Sequence, residues 1–187
     1  MHPRTEEVLN YLDARRADLQ TAVEAVPLDL RQKSPAPNQW SIAQVLDHLT
    51  MIDRRVETGM KKWLADARAK GVGAETGTSS VRNSVPTELI IDRSRRFEAP
   101  AEIRPADDID ATAAWTALEQ ARGDLRSTFL SGDGLALAEI IQPHPVLGPI
   151  NLYQWMLFVG SHEARHTGQI REIAGALQQD STASASG

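Results

Sequence analysis

Cysteine is absent from all 187 residues, so no disulfide staples this chain and any metal it holds must be bound by nitrogen and oxygen. No stretch approaches the roughly 18 uninterrupted apolar residues that a membrane-spanning helix needs. The opening MHPRTEEVLN has no apolar core behind a basic start, so a secretory leader is not expected and a cytoplasmic location is. Basic stripes are lacking too. Acids and bases are interspersed around a formal net charge of -5, which argues against nucleic acid or a lipid surface and points to a small molecule or a protein as partner. The length suits one domain with a substantial core. That domain is expected over residues 1–179, with the terminal DSTASASG, residues 180–187, as a disordered tail.

What is present is helical periodicity. Val8, Leu9, Leu12, Leu19 and Val23 recur at helical spacings and predict a first helix from about Thr5 to Val26, ended by the turn-rich PLDLRQKSPAPNQW. Ser41 with Gln44 three residues on forms a capping-box pattern. It opens a second helix whose apolar face runs Ile42, Val45, Leu46, Leu49, Ile52, Val56, Met60 and Trp63. Residues 70–86 are rich in glycine and serine and read as a mobile loop, and TELIIDRSRRFEAPAEIRP as a short helix or strand-like arm. Asp110 is the cap of a third helix reaching about Leu130, with Trp115, Leu118, Leu125 and Phe129 inward. After a loop containing HPVLGP, Asn151 caps a fourth helix with Leu152, Trp155, Met156, Val159, Ile170, Ile173, Ala174 and Leu177 on its apolar face. Four helices and no convincing sheet predict an all-α four-helix bundle. The link of about forty residues between the second and third helices suits a crossover joining parallel neighbours.

Three histidines fall on inward faces. His162 is three after Val159, His166 four further and Ile170 four beyond that, while His48 lies three after Val45 and four before Ile52. A single inward histidine is commonly a hydrogen-bonded core residue. Three are different: without a common partner several ring nitrogens must be satisfied separately, whereas one ion takes a nitrogen from each. Three neutral imidazoles with an open position are the ligand set of a catalytic zinc centre.

The run NQWSIAQVLDHL, the loop HPVLGPINLYQW and the closing FVGSHEARHTGQI resemble the DinB-like (DinB/YfiT-like) superfamily over nearly the whole chain. The resemblance implies a bundle with up-down-down-up topology that binds a divalent metal, zinc or nickel, through one histidine on the second helix and an H-x-x-x-H pair on the fourth. Those positions are His48, His162 and His166 here. It also implies relatives that are thiol transferases, and an isomerase, working with bacillithiol, mycothiol or glutathione.

HEARH also matches the H-E-x-x-H signature of zinc peptidases. Such enzymes take their third ligand from downstream, where this chain offers only Glu172 and Asp180 in a short remainder, so an inward His48 competes better. Glu163 is about 100° around the helix from His162 and borders the ligand stripe. It is a candidate base, with a solvent-facing or ligand-supporting role set beside that. Gln169, three after His166, is a candidate for orienting a ligand or substrate. Asp47 reads as a surface charge and His144 as a residue that shapes its loop. Trp40, Trp115 and Trp155 read as core, with Trp40 near the pocket mouth.

A three-histidine metal can polarise a carbonyl, activate water or favour a thiolate. With no cysteine in the chain, a thiol nucleophile must be a low-molecular-weight cofactor. The leading expectation is a metal-dependent enzyme transferring such a thiol to an electrophilic small molecule. Metal-dependent hydrolysis of a small ester or amide is the alternative, followed by a non-catalytic metal-binding bundle; homodimerisation is a further expectation.

Overall fold

The structure is a computed structural model that describes the backbone of residues 1–95 and 100–185, and side chains as far as residue 179. Its helices begin where local chemistry offers a cap. Pro3, which needs no amide partner, opens α1 (Pro3–Glu24) behind His2, whose Nδ1 accepts from the Arg4 amide. In α2 (Ile42–Ala69) the Ser41 hydroxyl accepts from the Gln44 amide at 3.2 Å, and the Gln44 side chain accepts from the Ser41 amide at 2.9 Å. After the five-residue α3 (Thr87–Ile91), Asp110 caps α4 (Ala111–Leu130) by accepting from Ala113 at 2.8 Å. Asn151 and Gln154 exchange side-chain and backbone bonds at the start of α5 (Leu152–Ala185).

The apolar faces read from the periodicity lie inward. Val8, Leu12, Leu19, Leu46, Leu49, Leu118, Leu125, Met156 and Ile170 are all buried, while Ile52, Trp63, Trp115 and Ala174 pack half-buried against them. Among the described residues the protein is mainly helical, with α2 packed most extensively on α4 and α1 on α5. The core divides into two apolar clusters. One takes Val8 to Leu12 of α1, Val56 to Ala67 of α2, Leu125 and Phe129 of α4 and Leu152 to Val159 of α5. The other takes Leu19 and Val23, Ile42 to Leu49, Ala114 and Leu118, and Ile170 to Leu177 of the same helices.

Two segments differ from expectation. The stretch around HPVLGP forms an antiparallel hairpin, β1 (Ile141–His144) with β2 (Gly148–Asn151). Gly148 adopts a φ of 74°, open to glycine at little steric cost, and the prolines Pro143 and Pro149 face each other across the ladder. Two four-residue strands carrying prolines leave no alternation to read. The segment read as a mobile loop is held against α1. Arg4 donates to Glu75 and to the backbone and hydroxyl of Ser79, Glu7 accepts from Ser80 and the Val81 amide, and the Arg82 guanidinium lies 3.5 Å from the Tyr11 ring centroid. Gly77 permits this, since a Cβ there would collide with the Arg4 guanidinium. At the C-terminus α5 runs to Ala185, with no glycine or proline interrupting 180–185, and 186–187 lie outside the described residues.

The arm expected over 87–105 holds α3 and a single 3₁₀ turn (Ala101–Ile103), with residues 96–99 outside the described residues. Among the described residues no helix is long and apolar enough to cross a membrane.

Candidate metal centre

His48, from α2, meets His162 and His166, one turn apart on α5. Ring centroids are 5.3 Å apart for His48 and His162, 4.8 Å for His48 and His166, and 4.5 Å for the pair on α5. Each ring offers one nitrogen, and the three nitrogens lie within 4.8 Å of one another. His48 and His166 are 3% and 7% exposed, which leaves bulk water little room to satisfy those nitrogens.

The outer nitrogens determine which lone pairs point inward. His48 Nδ1 donates to the Ile103 carbonyl at 2.8 Å, and His166 Nδ1 donates to Gln169 Oε1 at 2.8 Å, so the Nε2 of each carries a free lone pair. His162 Nε2 stands 3.2 Å from His166 Nε2. Two nitrogens on one tetrahedral zinc, at about 2.0–2.1 Å each, would be about 3.3 Å apart. His162 Nδ1 is buried without a partner, so the chain leaves that ring to be fixed from its inner side. On these observations the donor set fits a divalent cation.

Electrostatics agree with the geometry. Burial, and then the neighbouring His48, push His166 down to about 3. Burial and the two other rings hold His162 well below the ordinary value, and burial lowers His48 despite its bond to Ile103. All three imidazoles are therefore neutral at physiological pH and need shed no proton to ligate. Trp40 lies 5.1 Å from the His48 ring and Phe158 5.5 Å from that of His162. Both are half-buried, so the approach to the rings has aromatic walls.

Glu163 is not at the solvent margin. It is 0% exposed, and its Oε2 accepts from Arg16 and Arg122 at 2.8 Å each. The 100° offset from His162 turns it towards α1 and α4, whose guanidinium groups periodicity alone could not place there. Gln169 contacts His166 directly. Asp47 is not a free surface charge, since it accepts from the Ala106 amide at 3.1 Å while Gln44 donates to the Ala106 carbonyl, pinning the segment that presents Ile103. Sequence reasoning missed Ile103 because it acts through its backbone carbonyl, which no residue type signals. His144 Nδ1 accepts from the Val146 and Leu147 amides, as expected of a loop-shaping residue, and stands outside the three-ring group. Of the downstream candidates, Glu172 is exposed and takes a two-point bond from Arg93, while the Asp180 side chain lies outside the described residues. Gly168 leaves room for Arg93 against α5, since a Cβ there would come within 3.0 Å of its Cδ.

Fold and site together define a helical protein with three histidines brought together between two of its long helices, where they could hold a metal ion. The sequence pattern of the DinB superfamily matches residues 11–170, and the chain belongs to that superfamily. The "Uncharacterized protein YuaE" of Bacillus subtilis (strain 168) is 32% identical over 145 residues, covering 77% of this chain and 82% of the relative. No solved structure is a significant match.

Proposed function

We propose that the protein is a divalent-metal-dependent enzyme that transfers a low-molecular-weight thiol to an electrophilic small molecule, with His48, His162 and His166 as the metal ligands. The carrying observation is the meeting of three neutral imidazoles, those of His48 and His166 buried and that of His162 half-buried, with the outer nitrogens of His48 and His166 already committed to Ile103 and Gln169. Zinc and nickel both suit this nitrogen set. A divalent cation held there supplies positive charge that favours thiolate over thiol at neutral pH. Because the chain has no cysteine, the thiol must come from a cofactor such as bacillithiol, mycothiol or glutathione.

In this reading the chain's residues do the positioning. Gln169 holds the tautomer and tilt of His166, the Ile103 carbonyl does the same for His48, and Trp40 and Phe158 exclude water from the approach. Glu163 has no part as a base in this reading, because Arg16 and Arg122 hold its Oε2 towards α1 and α4. Residues 1–179 act as one up-down-down-up bundle. Support comes from the order in which each helix enters the two apolar clusters: α1 and α5 pass from the first to the second, α2 and α4 from the second to the first.

Elemental analysis of purified protein tests the ligands: His48→Ala, His162→Ala and His166→Ala should each lose most bound metal. Full retention in His48→Ala would overturn the shared site. The reaction is tested by conjugation of monochlorobimane with bacillithiol, mycothiol, glutathione and coenzyme A. A metal-dependent rate absent from His166→Ala is expected. Silence across the thiols with turnover of an ester or amide panel would replace transfer with hydrolysis, and silence in both would leave a non-catalytic metal-binding protein.

A further inference from the structure

Each of the four long helices turns a charged residue inward between the two apolar clusters. Arg16 lies between Leu12 and Leu19, Asp53 between Leu49 and Val56, Arg122 between Leu118 and Leu125, and Glu163 between Val159 and Ile170, so a polar layer crosses the core at matching positions. Asp53, Arg122 and Glu163 are 1%, 8% and 0% exposed. Arg122 Nε donates to Asp53 at 2.9 Å and its Nη2 to Glu163 at 2.8 Å, while Arg16 Nη2 reaches Glu163 at 2.8 Å and approaches Asp53 at 3.8 Å. Two guanidinium groups thus meet two carboxylates inside the core, and Arg16 also pairs with the half-exposed Glu119 at 2.5 Å.

Such a layer is a poor device for stability alone, since apolar residues of equal volume often serve as well or better. Its distinguishing property is direction. An apolar seam tolerates sliding and rotation, whereas a guanidinium that must meet two carboxylates fixes both. The helices it joins matter here. The histidines come from α2 and α5, which pack on each other less extensively than α2 packs on α4 or α1 on α5. Asp53 lies five residues after His48, and Glu163 directly follows His162.

We infer that Arg122, assisted by Arg16, is a positioning residue for the three-histidine centre: by bridging Asp53 on α2 and Glu163 on α5 it sets the level and rotation at which His48 meets His162 and His166. The metal part of this inference rests on the reading of those histidines as one site, while the alignment part does not.

The double variant Arg122→Met/Asp53→Asn removes one charge of each sign and leaves the Arg16–Glu163 pair in place. Two readouts are needed. In chelator-treated protein, nuclear Overhauser contacts between the ring protons of His48 and His166 report alignment, with the His162–His166 contact on one helix as internal reference. Zinc affinity by competition with a chromophoric chelator reports the consequence. The expected result is a folded protein that keeps the His162–His166 contact, loses the His48–His166 contact and binds zinc at least about tenfold more weakly. Leu125→Ala, which removes packing beside the layer without touching its charges, should lower thermal stability and leave both readouts unchanged.

Retention of the His48–His166 contact in the folded double variant overturns the inference, as does an equal loss in Leu125→Ala. If the double variant does not fold, Arg122→Lys is judged by the same criterion, because it keeps the charge but loses the two-point bridge. If the wild type binds no zinc, the metal reading falls and the ring contacts still decide the alignment.

Discussion

His144 should make the protein's stability depend on pH in a way that one substitution can isolate. Its Nδ1 accepts two backbone amides, from Val146 at 3.1 Å and Leu147 at 3.0 Å, so that atom must stay unprotonated for the hairpin turn to close. The ring is 5% exposed and lies 4.2 Å from Phe158 and 4.8 Å from Trp155 between centroids. Burial pushes it from the ordinary 6.5 down to about 4. A lowered folded-state value means that the unfolded chain takes up the proton first. The contribution is therefore complete above pH 6.5, falls as the pH drops, and is gone below about 4. At about 1.36 kcal/mol per pH unit the full effect is about 3 kcal/mol, of which about 2 kcal/mol has gone by pH 5. Asparagine at 144 can accept the same amides through its side-chain carbonyl and cannot titrate. Urea unfolding of wild type and His144→Asn, both with chelator, should give a stability difference that shrinks by about 3 kcal/mol between pH 7 and 4, other groups cancelling. The ring protons of His144 in the folded protein should shift with a midpoint near 4. Parallel pH profiles for the two proteins, or a midpoint near 6.5, would refute the reasoning.

Gln169→Leu removes the acceptor that holds His166 Nδ1, and zinc affinity should fall about 10- to 100-fold by chelator competition while the circular dichroism spectrum is unchanged. Ser41→Ala breaks the reciprocal cap of α2; a loss of about 1 kcal/mol, or about 2–4 °C in Tm, is expected by calorimetry, and no change would show that the cap contributes nothing. Leu118→Ala empties a fully buried site in the cluster next to His48. Unfolding should cost about 3 kcal/mol less, and a loss under about 1 kcal/mol would mean that the core collapses around the gap.

The helices α1, α2, α4 and α5 were legible because their causes are local. Apolar spacing near 3.6 residues marks the buried face, and Ser41 with Gln44, Asp110 and Asn151 are caps that act within three residues. The inward direction of His48, His162 and His166 follows from the same arithmetic, and so did their candidacy as a group. Contacts between elements were not legible. Which ring faces which, and at what distance, depends on how α2 and α5 are set against each other, and that alignment involves Arg16 and Arg122 on two other helices. Glu163 shows the difference plainly: its angle from His162 could be read from the chain, whereas the guanidinium groups waiting at that angle come from residues 147 and 41 positions away. The glycine- and serine-rich segment looked free because its own residues offer little packing, yet Arg4 and Glu7 of α1 hold it. Ile103 supports His48 through a backbone carbonyl that every residue possesses. Periodicity and capping report a residue's relation to its own helix; ion pairs and metal sites are relations between helices, which exist only once the tertiary fold brings distant residues within bonding distance.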